Sequence, residues 1–240
     1  MKIIDELLSS LDFETTVKDI HQGPFQTAVL TRNCGLASTP HDAGHHVKAP
    51  VKEACNLLEK NTLDLARLAN SLSAHEASIG MATINSLIDV DEEQCVQLNA
   101  GDLLMERGKD KKVAVIGHFP FIPKLQESAR ELWVIEMRPR PGDFEAGEAE
   151  RLLPQADVIG ITGTAFTNHT IEHLFDLCNP KAYVVILGGT APLSPILFDY
   201  GVNAVSGTIV IDPERVLRCV SHGATFRQIK GIRLLTMRKS

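Results

Sequence analysis

Residues 111–125 read KKVAVIGHFPFIPKL. Two lysines lead into four apolar residues, Val113 to Ile116, and the run stops at Gly117. A buried strand in a nucleotide-binding fold hands the chain to its ligand loop in this way, because glycine lets the backbone come close to a ligand. The residues that follow, His118, Phe119 and Pro120, are not the additional glycines that wrapping a pyrophosphate requires. The stretch therefore predicts a central strand of an α/β sheet whose terminal loop holds something other than a dinucleotide's phosphates.

Downstream the same grammar repeats. Apolar runs occur at 132–135, 157–161 and 183–187, with a weaker one at 203–211. Helical candidates lie between them at 123–130, 145–153, 169–178 and 195–200, and Asp212-Pro213 opens a last one. This alternation predicts an α/β unit over 106–240: a doubly wound parallel sheet with helices on both faces.

Upstream, over 1–105, the pattern is α+β, with strands first and helices after. VKDIHQGPFQTAVLTRNCGLAS (17–38) alternates around a Gly23-Pro24 turn and predicts a hairpin or meander. Three helical segments follow. Asn61 with Asp64 caps the second, and Ser73 with Glu76 forms a capping box before ASIGMATINSLI, whose Ala77, Ser78, Gly80 and Ala82 predict close backbone packing. MERGKDKK (105–112) is the expected linker.

The chain has 240 residues, 44% hydrophobic and 22% charged, which suits a soluble protein with one large core or two modest ones. A net charge of −6 and no basic block longer than KDKK argue against nucleic acid as a partner. Asp5, Glu6 and Asp12 interrupt any signal-peptide core, and no apolar run approaches the ~18 residues of a membrane span. Cys34, Cys55, Cys95, Cys178 and Cys219 form no CxxC pair. The expectation is a cytoplasmic protein with reduced thiols and no membrane association.

Ligands of such sheets bind outside the carboxyl ends of the strands. The residues at those ends are Gly117, His118 and Phe119; Glu136; Thr162, Gly163 and Thr164, leading to Asn168 and Thr170; Gly188, Gly189, Thr190 and Pro192; and Ser206, Gly207 and Thr208. Glu136 lies nineteen positions beyond Gly117, where a dinucleotide fold keeps an acid for ribose hydroxyls; a salt bridge to Arg138 or Arg140 explains it equally well. In TGTAFTNHT (162–170), Asn168 is expected to cap a helix, with the neighbouring threonines offering donors to an anion. GGTAPLSP (188–195) allows close approach of a ligand to the backbone, and also makes an ordinary turn. His118 is the candidate catalytic acid or base, since imidazole side chains serve as proton donors and acceptors in catalysis. His41, Asp42, His45 and His46 in HDAGHH are weak candidates for binding a transition metal.

Six strings, CGLAST (34–39), SIGMATINSL (78–87), VIGHFPFIPKL (115–125), ITGTAFTNHTIEHL (161–174), LGGTAPLSPILFDYGV (187–202) and SGTIVID (206–212), together resemble the "putative heavy-metal chelation" family, a group of unknown activity. The resemblance covers nearly the whole chain in order. It implies an enolase N-terminal-like domain followed by a Rossmann-like domain, with a pocket between them, and it makes Asn85 the residue that the first domain contributes. GHFPFIP then looks like a stiff, apolar-walled lip, with Phe119 or Phe121 offering a ring face.

Three functions remain open at this point. The first is a protein that binds or modifies a small metal-chelating molecule, or its metal complex, in the interdomain cleft. The second is an enzyme using a nucleotide-type cofactor such as S-adenosylmethionine, with Glu136 on the ribose. The third is a non-catalytic metal carrier using HDAGHH. The small-residue helix and uncharged strand edges are also compatible with a homodimer.

Overall fold

The computed structural model describes residues 1–40 and 50–239, so His41, Asp42, His45 and His46 lie outside the described residues. The chain opens with a helix, α1 (Lys2–Ser9), where strands were expected first. Ile3, Ile4, Leu7 and Leu8 are buried along one side of it, a helical spacing that Asp5 and Glu6 obscure in the sequence.

The expected meander follows as β1 (Asp19–Gln22), β2 (Gln26–Leu30) and β3 (Cys34–Ser38), all antiparallel. Gly23 N–H closes the first turn on Gln26 O at 2.9 Å. Next come α2 (Thr62–Arg67), capped by the Asn61 side chain on Asp64 N–H, and α3 (Ala74–Leu87). Only half of the predicted capping box forms at α3. Ser73 accepts from Glu76 N–H, but the Glu76 carboxylate turns away to accept from Lys52 N–H at 2.7 Å and from the Ser71 hydroxyl.

Helix α3 is buried nearly all round, as a helix enclosed by other elements must be. Its small residues explain the fit. A Cβ on Gly80 would stand 1.9 Å from Ala69 N, and one on Gly35 of β3 would stand 2.1 Å from Ala82 O, so backbone meets backbone on two sides of the helix.

The remaining elements are β4 (Cys95–Val96), α4 (Ala100–Gly108), β5 (Lys112–Ile116), α5 (Ile122–Ser128), β6 (Glu131–Glu136), β7 (Phe144–Glu145), α6 (Ala149–Leu152), β8 (Val158–Thr162), α7 (Thr164–Thr167), α8 (Ile171–Leu177), β9 (Tyr183–Leu187), β10 (Ala204–Val210), α9 (Pro213–Ser221) and β11 (Ile232–Arg238). They build an eight-stranded sheet in the order β4-β11-β10-β9-β8-β5-β6-β7. Strands β5 to β10 run parallel, as the sequence predicts, while β11 and β4 add two antiparallel pairings that it does not reveal. MERGKDKK is not a linker. Its first half is the last turn of α4, whose Leu103 and Leu104 pack on the sheet.

Alternate residues of each strand serve opposite layers, as the period of two requires. Val113, Val115, Val158, Val185 and Leu187 pack under α4 and α5. Ala114, Ile159, Ile161, Val184 and Ile186 face the other layer, whose core also takes in α1, α3, α7 and α8. The meander presents its second face to α9 through Ala28, Leu36, Val216 and Val220, so the last helix of the chain clasps its first sheet. Among the described residues no helix is long and apolar enough to cross a membrane.

Candidate functional site

From β5 the chain proceeds outward through β6 and β7, and then returns to the other side of β5 to lay down β8, β9 and β10. The order reverses between β5 and β8. Two loops leaving neighbouring strand ends diverge at such a point and open a crevice. A cavity of about 710 Å³ lies there and extends along the strand ends toward β11.

Its floor is made of small polar segments: Thr162, Gly163 and Thr164 after β8, Gly188, Gly189 and Thr190 after β9, and Ser206 and Gly207 of β10. Phe119 and Phe121 form one wall, with ring centroids 5.2 Å apart and planes within 9° of parallel. The first turn of α4, from Ala100 to Asp102, stands beside them, and a Cβ on Gly101 would press on the Phe121 ring at 2.8 Å. The opposite wall is Phe226, Arg227 and Ile229 with Leu234 and Leu235 of β11. From the meander, Ser38 reaches the cavity.

The hydroxyls of the floor divide into acceptors and donors. Thr236 gives its one proton to Leu98 O at 2.8 Å, so in the 2.7 Å contact between Ser206 and Thr236 the donor is Ser206. Ser206 is left with lone pairs only. Thr162 Oγ1 accepts from Thr164 N–H at 3.3 Å and lies 3.0 Å from Thr164 Oγ1. Two hydroxyls share one proton in that contact, and the second proton is spare for a ligand. Thr190, 1% exposed, accepts from Ser38 N–H at 2.9 Å and so pins the β9 loop to the end of β3.

Of the residues singled out from sequence, Phe119, Phe121, Thr162, Gly163, Thr164, Gly188, Gly189, Thr190, Ser206, Gly207 and Thr208 line this cavity together. Gly117, with φ +104°, supports it from behind: a Cβ there would meet Phe119 and Thr162 at 3.1 Å. Asn85 lies instead on a smaller cavity of about 260 Å³, and its amide donates to Leu36 O at 2.8 Å and Thr190 O at 3.2 Å. Pro192 is buried beside the β9 loop. Glu136, at the end of β6, is outside the cavity wall and accepts from Met137 N–H at 3.2 Å.

Asn168 does not cap a helix. It ends α7, donating its N–H to Thr164 O at 3.0 Å, and His169 at φ +56° then breaks the chain before Thr170 leads into α8. The polar run that reads as one helix start is a junction between two short helices. Asn168 is exposed, with its amide 3.5 Å from Met137 Sδ, and neither it nor Thr170 reaches the cavity.

Two family models, both described as "Putative heavy-metal chelation", match this chain: DUF364 over residues 99–239 and DUF4213 over residues 4–88. The chain belongs to the DUF364 family. A DUF364 protein of unknown function from Desulfitobacterium hafniense DCB-2 has the same fold, with a TM-score of 0.87 at 25% identity over 99% of this chain and 98% of that one. PH1506 of Pyrococcus horikoshii, another DUF364 protein of unknown function, follows at 0.82 and 21%, with the same coverage of both chains. The uncharacterized protein MJ0500 of Methanocaldococcus jannaschii is 26% identical over 181 residues, which is 72% of this chain and 70% of that protein. The shared architecture is a mixed α/β fold around a parallel-rich central sheet.

This DUF364 chain also places groups that sequence reasoning missed. His118 Nδ1 lies 3.3 Å from Asp143 Oδ2, and the Asp143 carboxylate, 7% exposed, also accepts from Arg140 N–H at 3.1 Å. The pairing holds Nδ1 on the aspartate, but His118 stands outside the cavity wall. Twenty-five positions separate the partners, with no periodic signal to link them. Phe226 and Arg227 were missed as lining because they follow a helix, and the start of α4 because β4, the strand before it, is too short to read. Among the described residues no group of three or more His, Cys, Asp or Glu side chains could hold a metal ion.

Proposed function

We propose that the protein binds a small metal-chelating molecule, free or as its metal complex, in the cavity at the strand ends. The observation that carries this reading is the convergence of two Thr/Gly segments, after β8 and β9, with a stacked phenylalanine pair in one cavity of about 710 Å³. A space of that size suits an organic ligand, and walls of this kind, apolar with a few fixed hydroxyls and amides, orient one. Those groups bind a ligand's oxygens and rings better than they bind a bare ion, so the metal travels with the chelator. The family description supports the same chemistry.

Our reading divides the chain into an enolase N-terminal-like part, made of the meander with α2 and α3, and a Rossmann-like part built on β5 to β10. The cavity then lies in the cleft where Ser38 and Thr190 join them. Five free cysteines agree with a cytoplasmic protein. A nucleotide-type cofactor with its ribose on Glu136 is the weaker reading, since that carboxylate lies outside the cavity wall.

A thermal-shift panel of chelators with and without Ni, Co, Zn or Fe ions, alongside S-adenosylmethionine and NAD, tests the proposal. A ligand at about a hundred times its Kd adds ~2.7 kcal/mol and raises Tm by roughly 5–10 °C for a chain of this size. Shifts with chelators or their complexes are expected. A shift confined to S-adenosylmethionine or NAD would replace this reading with the cofactor one.

A further inference from the structure

The charged residues on the cavity wall are Asp102, Lys124 and Arg227. Both cations are exposed and have no ion-pair partner among the described residues. They sit at opposite ends. Lys124 follows the Phe119 and Phe121 wall, while Arg227 adjoins Phe226, whose ring lies 2.8 Å from where a Cβ on Gly189 would stand. Asp102 lies in the first turn of α4, where unpaired helical N–H groups already favour a negative charge. Among the described residues the cavity wall thus carries two cations and one anion.

A second observation lies in the β9 loop. Gly188, at φ +113°, turns the backbone; its own N–H bonds Ser206 O at 3.1 Å, and Ala191 N–H bonds Gly188 O at 3.0 Å. Between them, the N–H groups of Gly189 and Thr190 have no acceptor among the described residues, although both residues are buried and line the cavity. Buried backbone donors are almost always paired, so two in succession on a cavity wall are placed for an acceptor in the cavity, water or a ligand. Successive amides at a glycine turn form a concavity suited to an oxyanion. The spare hydroxyl proton of the Thr162 and Thr164 pair adds a third donor on the same floor.

We infer that the cavity selects an anionic chelator, one that presents carboxylate or phosphoryl oxygens to the Gly189 and Thr190 amides while Lys124 and Arg227 balance its charge. The inference rests on the chelator reading and narrows it: the ligand is negatively charged before it meets a metal, and its flat or apolar part lies against Phe119 and Phe121.

Calorimetric titration of the full chain with four probes separates the two. Pyridine-2,6-dicarboxylate is a flat anionic chelator, 1,10-phenanthroline a flat neutral chelator, benzene-1,3-dicarboxylate a flat anion that chelates poorly, and pyrophosphate a phosphoryl anion that chelates. Pyridine-2,6-dicarboxylate or pyrophosphate is expected to bind and phenanthroline to bind at least tenfold more weakly; which of the two binds identifies carboxylate or phosphoryl oxygen as the group held. Lys124→Ala and Arg227→Ala are each expected to weaken the anion by about two- to fivefold, the range for solvent-exposed charges, with a smaller loss at high salt. Both side chains are exposed, so neither variant threatens folding. Phenanthroline binding as tightly as the anions would overturn the inference and leave the chelator reading standing. Equal binding of both dicarboxylates, unaltered by metal, would uphold the anion site and overturn the chelator reading. Failure of all three anions to bind would overturn the inference.

Discussion

Ser38 N–H donates to Thr190 Oγ1 at 2.9 Å, a bond across 152 positions of sequence that ties the last residue of β3 to the loop after β9. Thr190 O receives the Asn85 amide at 3.2 Å, so the same residue holds α3 as well. One threonine on the cavity floor therefore joins the meander, the central helix and the large sheet. Thr190→Val keeps the shape and removes the hydroxyl, leaving Ser38 N–H without its acceptor. The expected cost is about 1–3 kcal/mol, or a fall in Tm of roughly 2–10 °C. Differential scanning calorimetry measures it, and an unchanged Tm would show that water replaces the bond at no cost.

Gly80 and Gly147 make a contrasting pair. A Cβ on Gly80 would enter the backbone of the 68–70 turn, 1.9 Å from Ala69 N, and no side-chain rotation relieves a backbone clash. Gly80→Ala is expected to destabilise by about 3 kcal/mol or more, the upper end of overpacking costs. Gly147 is exposed, has nothing within 4 Å of its Cβ position and does not have a positive φ. Gly147→Ala should be neutral or stabilise by up to ~1 kcal/mol, by restricting the unfolded chain. Denaturant titration of both variants distinguishes them, and equal midpoints would contradict the close packing of α3.

What was legible in the sequence follows from where the chain leaves a periodic trace. Strands β5, β6, β8, β9 and β10 were readable because each is a run of apolar, largely β-branched residues ending in glycine or a polar residue. Their order around β5 then places the strand-end loops together, which is why Thr162 to Thr164 and Gly188 to Thr190 could be named in advance. Strand β4 has two residues and was invisible for that reason. The Asn168 error had another cause. Asn favours both helix starts and chain breaks, and only the positive φ of His169 decides between them. The pairing of His118 with Asp143 and the approach of Phe226 to Gly189 depend on tertiary packing, which no local pattern records.

The cysteines differ in accessibility and acidity. Burial pushes the Cys34 thiol up to about 12 from 9.0, with Asp19 adding repulsion, and burial alone pushes Cys178 up to about 12. Cys55 is exposed. Native protein at pH 8 should therefore react with a thiol reagent at Cys55 first and at half-buried Cys178 more slowly, while Cys34 reacts only after unfolding. The alkaline limb of stability has a definite sign. A folded pKa above the unfolded one stabilises fully below pH 9, and that stability is lost as pH rises toward 12, because the unfolded thiol ionises first. Tm should fall across that window, less steeply in Cys34→Ala. Rapid labelling of Cys34 at pH 8 would contradict its burial.

The walls of the cavity and the end of β6 predict opposite responses to mutation. Phe119 offers its ring in a stack with Phe121, so Phe119→Ala removes a face of the cavity without cutting the backbone that forms it. Stacking adds about 0.5–1.5 kcal/mol beyond area burial, and losing the ring should weaken a flat ligand by roughly tenfold once the lost area is included. Thr162→Val combined with Thr164→Val removes both hydroxyls of the pair, and with them the spare proton that either single change would leave on the other threonine; a loss of ~1 kcal/mol, about fivefold in affinity, is expected. Glu136→Ala, outside the wall, should leave the affinity of such a ligand within twofold of the parent. Titrating the three variants with whichever probe binds the parent decides between a ligand seated over β8 and β9 and one reaching across to β6. Loss of binding in Glu136→Ala with Phe119→Ala unaffected would move the ligand to the ribose position of a dinucleotide fold.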